Sequence, residues 1–169
     1  PAAGSVFTLS GILQAQLVQV IGGLGADAVL LDLGGLYANL TFVGRDGEDR
    51  LVINGTDTAT QYVIDGARIL INGLRTITIS DVQQLEVHGG AGNDTFGIRS
   101  TSAEVTTQLF GGDGGDSFLI GASNPAVRGT LDGIQGAIQV YGGGSSGGLI
   151  DVITLDDRAA VNSRGRALD

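Results

Sequence analysis

The chain has 169 residues, 42% of them hydrophobic, with 18 acidic side chains against nine basic ones, a net charge of −9 and no cysteine. One domain with a single core fits that length. The missing cysteines exclude disulfides and thiolate metal sites, and the acidic balance argues against nucleic acid or an anionic membrane as a partner.

No stretch reaches the ~20 apolar residues of a membrane span, and no leader-like pattern opens the chain. The first residue is Pro1 rather than Met, as expected of a processed or excised piece of a longer secreted protein. From Pro1 to Ala26 there is no charged residue, and Val6, Leu9, Ile12, Leu13 and Leu17 lie in that stretch. It reads as a first rung of strand that is covered by its own loop, cut at a module boundary, or stacked on the last rung of another copy. Head-to-tail stacking of that kind does not close on itself and grows a filament.

Next comes Gly22-Gly23-Leu24-Gly25-Ala26-Asp27-Ala28-Val29, of the form G-G-x-G-x-D-x-apolar. Gly44-Arg45-Asp46-Gly47-Glu48-Asp49-Arg50-Leu51 repeats it with Arg for the second Gly. Gly66 opens a shortened copy whose Ile69 and Ile71 take the apolar places. Two intact copies follow: Gly89-Gly90-Ala91-Gly92-Asn93-Asp94-Thr95-Phe96 and Gly111-Gly112-Asp113-Gly114-Gly115-Asp116-Ser117-Phe118. A last copy starts at Gly142, is stretched by Ser145-Ser146-Gly147-Gly148, and regains register at Asp151, Ile153 and Leu155. The four fuller copies start at intervals of 22, 45 and 22 residues. A fixed period of about this size marks stacked repeats.

Aligned on the loop starts, apolar residues fall two and four places before each loop (Val20 and Val18, Phe42 and Leu40, Ile64 and Tyr62, Val87 and Leu85). They fall again just after it (Val29 and Leu31, Leu51 and Ile53, Phe96 and Ile98, Phe118 and Ile120). Apolar residues two apart share one face of a strand. The expected fold is all-β: a right-handed parallel β-solenoid (β-helix or β-roll) with about 22 residues per rung. One solenoid domain would cover residues 1–157, with about seven rungs over roughly 30 Å at about 4.8 Å each. Residues 158–169 would form a polar tail, a linker or a strand donated to a neighbour. A β-sandwich with Gly-rich hairpins is the alternative, but sandwiches have no reason to hold one phase along the chain.

Successive glycines allow positive φ and leave carbonyls pointing into the loop. The Asp supplies the charge that a hard cation favours, and two stacked loops offer enough oxygens for a calcium shell. The pair starting at Gly89 and Gly111 meets that condition, with Gly89, Gly90, Gly92, Asp94, Gly111, Gly112, Gly114 and Asp116 as candidate ligands. Asp27 and Asp49 form a second candidate pair, weakened by neutral Ala26 and by Arg45. The competing reading is a tight turn whose Asp caps backbone N–H groups.

The copies at Gly22, Gly89 and Gly111 resemble the RTX, or haemolysin-type, calcium-binding nonapeptide. That resemblance implies a parallel β-roll, calcium held between stacked turns by Gly carbonyls and Asp carboxylates, and secretion into a calcium-rich exterior. It points to Asp27, Asp94 and Asp116, and after them Asp49. The departure is spacing: RTX rolls commonly set two nonapeptides in each turn, whereas here one Gly-Asp loop falls in each rung. Calcium should then line one edge only. The stretch Gly89 to Asp157, with Leu131-Asp132-Gly133-Ile134-Gln135-Gly136, also resembles tandem modules of very large bacterial extracellular proteins.

Catalysis is not expected. His88, the single histidine, stands just before a loop and reads as a solvated edge residue. Asp32, Asp65, Asp81, Glu86 and Glu104 show no shared register with Arg, Asp156-Asp157-Arg158 reads as a tail or cap, and no loop continues into the Gly-Lys-Ser/Thr of a phosphate site. The expected role is a secreted structural calcium-binding protein of a filament, matrix, S-layer or adhesin stalk. The alternative is a calcium-gated module that helps export and fold an attached enzyme or adhesive domain.

Overall fold

The computed structural model describes residues 3–11, 16–35, 37–144 and 149–159. Ile12 and Leu13, the Ser145–Gly148 insertion and the tail from Ala160 to Asp169 lie outside them. The strands are β1 (Val6–Leu9), β2 (Leu17–Ile21), β3 (Ala28–Asp32), β4 (Asn39–Val43), β5 (Arg50–Thr56), β6 (Gln61–Asp65) and β7 (Arg68–Ile71). They continue as β8 (Arg75–Ser80), β9 (Gln84–Ala91), β10 (Thr95–Ser100), β11 (Thr106–Asp113), β12 (Ser117–Ile120), β13 (Ile138–Gly144) and β14 (Val152–Leu155). Among the described residues the only helix is a short 3-10 turn, Leu33–Gly35, and no helix is long and apolar enough to cross a membrane.

Two sheets share one apolar core. The first has six strands in the order β1-β3-β5-β9-β11-β13, all parallel; the second has eight in the order β14-β12-β10-β6-β7-β8-β4-β2. In the second sheet β7 runs antiparallel to both of its neighbours, β6 and β8. The expected right-handed parallel β-solenoid, with one uniform rung of about 22 residues, is therefore overturned. The described residues form no closed solenoid. One sheet is parallel and the other mixed, and the mixed sheet carries two more strands, so the sheets cannot be matched strand for strand.

The cause is local. Asn72 and Gly73 both hold positive φ (51° and 66°) between β7 and β8, and Gly66 holds 60° between β6 and β7. Asn-Gly between alternating apolar residues is a strong hairpin signal. Gly66 therefore starts a hairpin and not a shortened rung. Ile69 and Ile71 still face the core, at 0% and 1% exposure, but from a reversed strand. The hairpin also breaks the spacing. Asp27 and Asp49 meet at a separation of 22, whereas Asp49 meets Gln83 across 34 positions and Asn39 meets Thr76 across 37.

The inward register is otherwise filled as the apolar alternation dictates. Val29, Leu31, Leu51, Ile53, Leu85, Val87 and Leu109 come from the parallel sheet, and Leu40, Phe42, Ile64, Ile77, Phe96, Ile98 and Phe118 from the mixed one. Tyr62, Phe96 and Phe118 stack inside, with ring centroids 5.0 and 4.8 Å apart. A second ladder runs along the outer face of the parallel sheet, where His88, Phe110 and Tyr141 stack at 4.4 and 4.6 Å. Both follow from parallel in-register pairing, which sets like positions one strand spacing apart.

The internal ladder carries more burial than the external one. Phe96→Ala should lower stability by about 3–5 kcal/mol, the usual cost of emptying a large buried aromatic site. Phe110→Ala should cost clearly less. Urea midpoints of the two variants check the difference, and equal losses would refute it.

Candidate functional site

The Gly-Asp loops stack in two columns at opposite edges of the sheets. Loops 22–27 and 44–49 lead from the mixed sheet into β3 and β5. Loops 89–94 and 111–116, and the last one ending at Asp151, lead the other way, out of β9, β11 and β13. Strands of the first sheet all run in one direction, so loops entering them and loops leaving them lie at opposite ends. The expectation of cation sites along one edge is thereby corrected. The hairpin is what transfers the motif: it lies between the Gly44 and Gly89 copies and occupies a crossover at which the motif would otherwise have recurred.

Within each column the Asp side chains form a ladder. Asp27 Oδ1 accepts from Ser5 N–H at 2.6 Å, Asp49 Oδ1 from Asp27 N–H at 2.7 Å, and Gln83 Oε1 takes the next place, accepting from Asp49 N–H at 2.7 Å. In the other column Asp94 Oδ1 accepts from Thr60 N–H at 2.7 Å, Asp116 from Asp94 N–H at 2.8 Å, and Asp151 from Asp116 N–H at 2.9 Å. The capping reading of the motif is thus realised by one oxygen of each carboxylate.

The second oxygens differ. Asp27 Oδ2 accepts from Gly23 N–H at 2.5 Å, which leaves Asp27 a cap at both oxygens. Asp49 Oδ2, Asp94 Oδ2 and Asp116 Oδ2 are buried and have no hydrogen-bond partner among the described residues. Each crowds the first glycine of its own loop. A β-carbon on Gly89 would collide with both Asp94 Oδ2 and the Gly111 carbonyl oxygen, one on Gly111 with Asp116 Oδ2 and the Gly142 carbonyl, and one on Gly44 with Asp49 Oδ2 and the Asp81 carbonyl. A carboxylate oxygen and a carbonyl oxygen therefore face the same point with no donor between them. Such a pair is completed either by a proton on the carboxyl or by a cation.

The second glycines serve the stacking itself. Gly90, Gly112 and Gly143 hold φ of 107°, 101° and 117°, and a β-carbon on any of them would strike a carbonyl of the loop before it. Gly114, at φ 137°, meets the Gly92 carbonyl in the same way, and Gly92, at φ 108°, meets the backbone of Thr58 and Ala59. In the copy at Gly44 the second place is Arg45, which still takes a positive φ of 77°. The loop keeps its path there at the expense of a conformation that non-glycine residues disfavour.

Burial decides the electrostatics. It raises the carboxyl of Asp94 to about 6, against the N–H of Thr60, which lowers it, and with the Asp116 charge, which raises it further. Burial likewise raises Asp49 and Asp116. Asp27 is held below its usual range by the N–H groups of Gly23 and Ser5. Among the described residues no three His, Asp or Glu side chains converge on one point. A cation in either column would rest on one carboxylate per loop together with backbone carbonyls.

Asp151, placed in register by the last copy of the motif, continues the second ladder beyond the pair expected to hold calcium. Sequence reading missed the residues that end the columns. Gln83 and Thr60 terminate the ladders, and nothing in their surroundings marks them in advance. Outside the loops, Glu86 is buried and bonds Arg50 at 2.5 Å, with His88 Nε2 at 3.6 Å; Arg99 pairs with Asp65 at 3.1 Å. The expected lack of acid–Arg pairing is corrected at these two places, because adjacent strands bring together residues far apart in the chain. His88 lies within β9, stacked on Phe110. Asp156 is clamped by Arg158, whose guanidinium also reaches the carbonyls of Pro125 and Val127.

The chain matches no known protein family, no curated protein and no solved structure.

A raised folded-state pKa means that the protonated carboxyl favours the fold. Its contribution is fully present below the unfolded value of 3.8 and is lost as pH rises through about 6. In excess chelator the chain should therefore melt higher at pH 5 than at pH 7.5. Asp94→Asn, a neutral mimic of the protonated side chain, should flatten that dependence. Melts that rise with pH in chelator would contradict the assignment.

Proposed function

We propose that this chain is a secreted, non-catalytic structural protein that binds calcium (Ca2+) through its stacked Gly-Asp loops, as the RTX repeats it resembles do. It would serve as a subunit or module of an extracellular filament, matrix, S-layer or adhesin stalk at the cell surface. The observation that carries the reading is the set of buried, partnerless oxygens on Asp49, Asp94 and Asp116. A buried ionised carboxylate without a donor is costly. A hard cation removes that cost and favours an all-oxygen shell of carboxylates and carbonyls.

Asp94 and Asp116, with carbonyls of the loops starting at Gly89, Gly111 and Gly142, would hold the ion in one column. Asp49, with the Asp81 carbonyl, would do so in the other. Asp27 would remain a cap. The bound ion supplies neutralising charge and ties neighbouring loops together. Raised carboxyl pKa values favour a second reading of the same sites: a module that folds only on meeting external calcium and so aids the export of an attached domain.

Self-association belongs to the same proposal. The open edges at one end are β1 and β2, and at the other β13 and β14. Each pair would meet a second copy in parallel, since β1 and β13 belong to one parallel sheet and β2 and β14 point the same way through the two reversals at β7. Ile153 and Leu155 pair in register with Phe118 and Ile120 yet are 58% and 68% exposed, on a strand that ends its sheet among the described residues. The opposite end exposes Val6 and Leu17, at 70% and 59%, in a stretch without charge. Unpaired edges of this kind invite strand addition.

Two measurements test the proposal. Calcium at a hundredfold excess over its dissociation constant stabilises by about 2.7 kcal/mol, which should raise the melting temperature by roughly 5–10 °C over chelator. Asp94→Asn and Asp116→Asn should reduce that gain, and coincident melts of the unaltered chain would sink the calcium reading. Sedimentation should show end-to-end growth with concentration that Leu9→Asp or Leu155→Asp abolishes while calcium binding persists. A chain that stays monomeric at millimolar concentration with calcium bound would sink the filament reading alone.

A further inference from the structure

The two strands added by the hairpin widen the mixed sheet but not the parallel one. The crossovers from β3 to β4 and from β5 to β6 are consequently separated where the β7–β8 turn comes between them. A cavity of about 240 Å3 opens there, lined by Leu33, Gly34 and Tyr37 on one side, Thr56, Thr58 and Thr60 on the other, and Ile71, Asn72 and Arg75 at the back. None of Asp49, Asp94 and Asp116 lines it, although its lining residue Thr60 donates a backbone N–H to Asp94 at 2.7 Å. Its volume is below the ~300–1,000 Å3 of drug-sized pockets and suits one small polar unit.

The lining is rich in donors. The Arg75 guanidinium lies 5.2 Å from the centre of the Tyr37 ring, which orients it by cation–π attraction. Among the described residues it makes no ion pair with a carboxylate, in contrast to Arg50, Arg99 and Arg158. Asn72 Oδ1 accepts from Gln61 N–H at 2.8 Å, so its amide NH2 remains available to donate. Thr56 and Thr58 hydroxyls share one bond of 2.9 Å, which leaves one of the two hydrogens free. Thr60 donates to the Thr58 carbonyl at 2.8 Å and so presents an acceptor. Among the described residues no acidic side chain lines the cavity; the nearby Asp32 accepts from Gly34 N–H at 2.9 Å.

We propose that this cavity binds a small carboxylate that also carries hydroxyl groups, the chemistry of a uronic acid. The planar Arg75 fork would take the carboxylate in bidentate fashion. Asn72 and the threonines, which offer both donors and an acceptor, would take the hydroxyls. The assignment goes beyond the calcium reading and does not depend on it.

The test titrates the full chain, at fixed calcium, with glucuronate, glucose and acetate, following amide NMR shifts at Thr56, Thr58 and Asn72. Glucuronate should bind with a millimolar or tighter constant and shift these amides, while glucose and acetate bind at least tenfold more weakly. Arg75→Gln should weaken glucuronate at least tenfold with an unchanged melting temperature. Thr58→Val should narrow the preference for glucuronate over acetate. No shift with glucuronate at about 50 mM, a concentration that would detect affinities weaker than −4 kcal/mol, overturns the proposal. So does binding unchanged in Arg75→Gln, or equal binding of acetate or glucose. Repeating the titration in chelator separates this outcome from any failure of calcium binding.

Discussion

Neighbouring strands lie about 4.8 Å apart, and loops that join consecutive strands must stack at the same spacing. That distance brings the backbone of one loop against the carbonyls of the next, with no room for a side chain between them. Glycine at 90, 112 and 143 answers that crowding, and positive φ turns the peptide planes so that the loops nest. Once nested, each loop has one inward N–H without a strand partner. The Asp that closes the motif supplies the acceptor. The core registers, the two aromatic ladders and the buried carboxylates all inherit this one repeat distance.

Much of this was legible in the chain. The alternation around each loop identified the inward residues correctly for both sheets, from Val29 and Leu31 to Phe118 and Ile120, because period two is a property of the strand itself. The loop motif identified the Asp positions that are buried, because its glycines have no other economical explanation. The connectivity around residues 57 to 83 was not legible from period alone. There Gly66 fits a loop start as well as a hairpin turn, and Ile69 and Ile71 face inward under either assignment. Only Asn72-Gly73 distinguishes the two. Its signal is local turn chemistry, which an argument from spacing passes over.

The hairpin has effects well beyond its own length. It puts two extra strands in one sheet, shifts the Gly-Asp loops from one edge to the other, and leaves the first column ending on Gln83 while the second begins on Thr60. A neutral amide oxygen in the place of a carboxylate caps the first column without adding charge. The second column instead continues to Asp151. The two edges thus differ in charge and in the number of carboxylates they stack, although they derive from the same repeated motif.

The chain has three tyrosines and no tryptophan, and the fold assigns each tyrosine a different environment. Tyr62 is enclosed in the inner aromatic ladder, Tyr141 ends the outer ladder on an edge strand, and Tyr37 lies under Arg75 beside the cavity. Burial pushes the Tyr62 hydroxyl far above its usual ionisation range, so its absorbance stays in the phenol form under alkali that ionises an ordinary tyrosine. Near-ultraviolet dichroism and phenolate absorbance consequently report separately on the core and the surface, without any introduced label.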